Sequence, residues 1–143
     1  MMSETIQERS VAAKRTLQDL VDRLVTGELA AALQKESFIV NEVPGELIIA
    51  ADENMLAKVL RGLLHTVVSN ARNSCIRVAA KVYGDIVLVH VRDTRRADSK
   101  TITERLEEIQ MLAEKVGGCV TVCNQQEEAI TLAFSFFNGI KAA

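Results

Sequence analysis

Two histidines, three cysteines and a cluster of arginines are the side chains in this 143-residue sequence whose types suit chemistry. His65 falls on the outer side of a helical stretch and His90 alternates outward on a strand, so both read as ordinary surface histidines. Cys119 and Cys123 lie four apart on a strand. They share a face, but at about 3.3 Å per residue they sit ~13 Å apart, too far to bind one zinc ion or to form a disulfide. They read as core cysteines, and so does Cys75. Arg92, Arg95 and Arg96 gather beside Asp93 and Asp98. Such a cluster either binds an acidic partner or phosphate, or forms a solvated loop of local ion pairs. The plain reading of Asp93 is a strand-ending aspartate that caps the next turn. No H-E-x-x-H, Walker loop, G-x-S-x-G or metal-spaced carboxylate set is present. The residues therefore predict no catalytic group and no metal site.

The elements that must position these side chains follow from hydrophobic spacing. Residues 4–25 predict an amphipathic helix through Ile6, Ala13, Leu17, Leu20 and Leu24. Gly27 interrupts it, and a shorter helical piece over 28–35 turns Leu29 and Leu33 inward. Residues 37–43 alternate as a strand, Pro44-Gly45 turns the chain, and residues 47–51 form a second short strand. Asp52 is the N-cap of a helix whose wide apolar face runs from Met55 to Val68. A hairpin follows, with strands 75–83 and 86–92 around Gly84-Asp85. Thr101 and Glu104 make a capping-box pattern before a helix with Ile102, Leu106, Ile109, Ala113 and Val116 on its core stripe. Gly117-Gly118 stops that helix. Strands 119–124 and 129–137 close the chain, and the tail from Asn138 is loose.

Helices separated by pairs of strands predict an α+β two-layer sandwich: a mixed, mostly antiparallel sheet covered by helices on one face. The division is an N-terminal amphipathic helix over 1–27, one domain over 28–138 and a tail over 139–143. Composition agrees with a globular chain, at 48% hydrophobic and 25% charged residues. The formal net charge of −2 argues against nucleic acid as a partner. No apolar run is long enough to cross a bilayer, and residues 1–10 lack a secretory core segment. With an odd number of cysteines, these features predict reduced thiols and a cytoplasmic setting. The apolar N-terminal stripe and the uncovered sheet face predict a homo-oligomer, most simply a dimer.

The stretch Ala51 to Phe137 resembles the ATP-binding domain of sensor histidine kinases, the Bergerat-type (GHKL) fold shared with gyrase. The resemblance begins at A-D-E-N-M-L-A-K-V-L-R-G-L-L-H-T-V (residues 51–67). It continues through the hairpin into V-R-D (91–93) and closes with L-A-E-K-V-G-G-C-V-T-V (112–122). Residues 20–43 fit the preceding helix and strand. The order and spacing of the elements are its specific part. It implies a place in bacterial two-component signalling, and it implies which positions would hold Mg-ATP. Asp93 corresponds to the aspartate that accepts the adenine amino group. Gly62 and Thr66 stand where the helix has its two asparagines, the second of which binds Mg²⁺. Val67 replaces a small alanine.

The departures fall on the phosphate-binding parts. The first glycine box, D-x-G-x-G, reads Asp93-Thr94-Arg95-Arg96-Ala97. The glycines of the second, G-x-G-L, are Thr103 and Arg105, with Leu106 kept. An arginine forced to positive φ would cost about 1–2 kcal/mol. The capping box occupies the N–H groups that would meet phosphate, and the loop after Asp93 is too short for a nucleotide lid. Neither histidine resembles the phospho-acceptor motif. The sequence therefore predicts a non-catalytic histidine-kinase-like module that acts through protein contacts in bacterial signal transduction, with no cofactor. The alternative is an ATP-binding kinase or regulator domain with a divergent site at Asp93 and Thr66.

Overall fold

The computed structural model describes residues 15–94, 99–123 and 129–139. Side chains of 99–103 are outside the description, as are Ile6, Ala13, Arg95, Arg96, Ala97 and Asp98 altogether. In chain order the elements are α1 (Leu17–Gln34), β1 (Phe38–Asn41), α2 (Glu53–Ser69), β2 (Cys75–Tyr83), β3 (Ile86–Asp93), α3 (Ser99–Glu114), β4 (Cys119–Cys123) and β5 (Ile130–Phe137). The strands form one open sheet in the order β1-β2-β3-β5-β4. β1 runs parallel to β2, and every other neighbouring pair is antiparallel. The fold is the two-layer α+β sandwich that the paired strands predict.

Thr16 caps α1, its hydroxyl accepting from the Asp19 N–H at 3.2 Å. The helix then runs unbroken through Gly27 to Gln34, which corrects the expected interruption. One uncapped glycine costs a helix only about 1 kcal/mol, less than the packing on either side supplies. Continuity also keeps the helical phase. The buried stripe Leu17, Leu20, Val21 and Leu24 continues to Ala32. Leu29 and Leu33 lie off that stripe and are 49% and 63% exposed, not turned inward.

The strand expected over 47–51 is reduced to one antiparallel bridge, Ile48 with Thr16. Leu17 N–H donates to the Leu47 carbonyl and Ile49 N–H to that of Arg15, both at 2.9 Å. Pairing stops there because α1 begins at Leu17. Asn138 satisfies the rest: its Oδ1 accepts from Ala50 N–H at 2.8 Å and Ala51 N–H at 3.1 Å, and its Nδ2 donates to the Ile48 carbonyl at 3.0 Å. Its own N–H donates to the Asp85 carbonyl at 2.7 Å. Asn138 is therefore an anchor rather than the start of a loose tail.

Asp52 caps α2 as expected, accepting from Asn54 N–H at 3.0 Å and Met55 N–H at 3.3 Å. Val59, Leu63 and Val67 on α2 are fully buried among Ile76, Val78, Val89, Val91, Leu132 and Phe134 of the sheet. α3 begins at Ser99, so Thr101 lies inside the helix and is not its N-cap. The end of α3 matches the expectation. Gly117 has φ +67°, its N–H donates to Glu114 O at 3.1 Å, and Gly118 N–H donates to Ala113 O at 2.9 Å, a Schellman stop. Gly118 also lets β4 start hard against β5: a Cβ there would stand 2.5 Å from the Ser135 carbonyl oxygen and 2.8 Å from a Phe134 ring carbon.

Asn138→Ala removes three side-chain hydrogen bonds whose backbone partners regain water at the surface. We expect a loss of about 1–2 kcal/mol in urea unfolding, with the slope unchanged.

Candidate functional site

The residues singled out for nucleotide chemistry lie on α2 and at the end of β3. Gly62 and Thr66 are one turn apart on α2. The Thr66 hydroxyl donates to the Gly62 carbonyl at 2.7 Å and the residue is only 2% exposed. This back-bond is the usual refuge of a buried helical threonine. One turn further on, the Asn70 side-chain amide donates to the Thr66 carbonyl at 2.8 Å. Gly62 is where α3 closes on α2: a Cβ at this position would meet Ile109 Cγ1 at 3.1 Å and Cδ1 at 3.3 Å. Glycine is thus explained by close packing, since its α-helical backbone makes no demand for positive φ.

Asp93 ends β3, in register with Ile76 on β2 and Ile130 on β5. Val87, Val89, Val91 and Asp93 alternate onto the helix-facing side, and Asp93 is 1% exposed. It is a partnered residue, as a buried carboxylate must be. Thr66 and Asp93 are buried, whereas Gly62 is half-buried at the contact with α3; Gly62 and Thr66 are bonded to each other. Leu106 and Ile109 of α3 are buried beside them and Arg105 is exposed.

Among the described residues, positions 62 and 66 offer little to a magnesium–triphosphate. A hard cation takes several oxygen ligands with carboxylate or carbonyl character. Here the hydroxyl at 66 is buried and turned to its own helix, and no amide stands at 62. Among the described residues no group of three histidine, cysteine, aspartate or glutamate side chains gathers for a metal.

The remaining sequence candidates lie elsewhere. His65 is on the outer side of α2, its Nδ1 3.3 Å from Glu28 Oε1 of α1. His90 is half-buried on the sheet face away from the helices, where Arg77 and Arg92 face each other in register. Sequence reading placed Arg92 in a loop cluster with Arg95 and Arg96. The strand instead carries it to the face opposite Asp93. Arg77 is expected on this face from strand alternation, but its pairing with Arg92 depends on hairpin register. The cysteines are not core residues: Cys119 is exposed and Cys75 and Cys123 are intermediate, all as free thiols. Val120 and Val122 take the helix-facing side of β4, which leaves its cysteines on the open side.

This arrangement of three helices on one face of a five-stranded mixed sheet is the fold of histidine-kinase ATPase domains, the GHKL type. The chain is similar to histidine kinase AdeS of Acinetobacter baumannii, with TM-score 0.75 and 10% identity over 89% of this chain and 67% of that one. It is similar to the catalytic domain of histidine kinase ThkA in a nucleotide-free form, with TM-score 0.70 and 14% identity over 87% of this chain and 94% of that one. ThkA in complex with the response regulator protein TrrA matches at TM-score 0.72 and 15% identity, over 96% of this chain but only 48% of that one. The chain thus spans about two thirds of the AdeS chain and under half of this longer ThkA chain. No family model matches the chain, and no curated protein matches it. No helix among the described residues is long and apolar enough to cross a membrane.

Restoring the first amide tests the packing account. Gly62→Asn must push Ile109 aside, and we expect it to lower stability by roughly 1–3 kcal/mol. A Gly62→Asn chain as stable as the parent in urea would mean that Ile109 yields to the new side chain at no net cost.

Proposed function

We propose that this chain is a non-catalytic histidine-kinase-like module that acts through protein contacts in bacterial signal transduction. One observation carries the reading: Ile109 fills the space over Gly62 while the Thr66 hydroxyl is buried against the Gly62 carbonyl. A nucleotide would have to part α3 from α2 to reach either position. Parting them would expose Leu106, Ile109 and Ala113. At about 0.025 kcal/mol per Å² of apolar surface, that opposes binding before any phosphate contact is made.

The role in signalling is supported by the fold and by ThkA, a histidine kinase seen in complex with a response regulator. Protein contact is supported by exposed apolar side chains of a size that solvent does not favour. Leu29 and Leu33 stand out from α1, Phe38 from edge strand β1, and Val82, Tyr83 and Ile86 from the hairpin end. A second copy of the chain is among the partners we propose.

Calorimetric titration of the purified chain with Mg-ATP tests the proposal. We expect no saturable heat at millimolar nucleotide and no rise in melting temperature. Micromolar affinity that weakens on removing the γ-phosphate, and that Asp93→Asn abolishes, would establish the ATP-binding alternative instead.

A further inference from the structure

The sheet face turned away from the described helices holds a depression of about 550 Å³. Arg77, His90 and Arg92 line it together with Glu42, Ala79, Cys123, Ala129 and Thr131. The volume lies in the range of small-molecule sites, roughly 300–1,000 Å³. The site stands on the opposite side of the sheet from Thr66 and Gly62, so the nucleotide reading can fail without touching it.

Its charge is unbalanced. Within the depression, Arg77 and Arg92 are opposed among the described lining residues by one carboxylate, Glu42. Arg77 and Arg92 are direct cross-strand partners, an arrangement of like charges that destabilises a sheet unless an anion lies between them. Glu42 answers only one of them: its Oε2 accepts from Arg77 Nη1 at 2.8 Å. Arg92 has no hydrogen bond or ion pair among the described residues. His90 stands two residues along β3 on the same side, between Ala79 and Ala133 in register. Those small neighbours and the buried Ala129 leave room beside the imidazole and the guanidinium groups.

We propose that this depression binds a dianionic phosphate group. A carboxylate is satisfied by one guanidinium, as Glu42 is. A tetrahedral dianion offers enough oxygens to take a fork from Arg92, a donor from Arg77 and a further bond from His90 or the Thr131 hydroxyl. The floor of Ala79 and Ala129 suits the carbon part of a phosphomonoester.

The test titrates the full chain with phenyl phosphate, inorganic phosphate and benzoate, followed by amide chemical shifts. Saturable shifts at Ala79, His90 and Thr131 with phenyl phosphate are expected. Arg92→Gln should weaken that binding about tenfold or more, while its melting temperature stays level or rises because like charges are separated. The pair Arg77→Gln with Glu42→Gln, which strands no carboxylate, should weaken it similarly. Lys81→Gln, on the same face but outside the depression, should change it less than about twofold. Inorganic phosphate binding as tightly as phenyl phosphate identifies the free ion as ligand, and phenyl phosphate binding tighter identifies a phosphomonoester. Both support the site. Absence of saturable shifts, benzoate binding as tightly as phenyl phosphate, or undiminished binding in Arg92→Gln overturns it.

Discussion

The contact between Ile109 of α3 and the bare backbone of Gly62 on α2 sets how closely the two helices pack. A side chain at position 62 would crowd Ile109, with its Cβ 3.1 Å from Cγ1, so glycine there lets the two helices pack closely. Thr66, one turn on, is then left without water and turns its hydroxyl to the nearest carbonyl. The apolar stripe of α3, with Leu106 and Ala113 on either side of Ile109, extends the contact along the helix. A glycine at one helix position thus couples the packing of the helical layer to the fate of the interlayer space.

The closed seam divides the molecule into two unlike faces. Toward the helices the sheet presents valines, isoleucines, Leu132 and the tilted pair Phe134 and Phe136, with ring centroids 5.2 Å apart, and one buried carboxylate at Asp93. Away from them it presents arginines, a lysine, a histidine and thiols. Strand alternation produces both faces from the same residues: Arg92 and Asp93 are adjacent in sequence and lie on opposite sides of β3.

Much of the fold is legible in the sequence because local rules and tertiary packing agree there. Asp52 caps α2, Gly84-Asp85 turns the hairpin and Gly117-Gly118 ends α3, each through short-range backbone chemistry. Where the reading failed, a long-range partner was responsible. Gly27 reads as a breaker because propensity is local, but α1 is held on both sides by packing. Residues 47–51 read as a strand because they are apolar, yet their hydrogen bonds are divided between Arg15 and Leu17 at the start of α1 and Asn138, about ninety positions away. The cysteines read as core because small apolar strands are commonly buried, whereas their parity on β2 and β4 sets them outside. Gly62 is legible as a missing asparagine, but only the helix-helix distance explains it as a packing residue. Arg77 meets Arg92 through a register that no spacing along the chain displays.

The central claim is that α2 and α3 are in direct contact where a nucleotide would otherwise lie. Nuclear Overhauser effects between the Gly62 α-protons and the Ile109 methyl groups measure that contact in solution, in the full chain, with and without a saturating non-hydrolysable ATP analogue and magnesium. Strong cross-peaks of equal intensity in both samples are the predicted result. Cross-peaks that are absent in the free chain, or that vanish when the analogue is added, would contradict it.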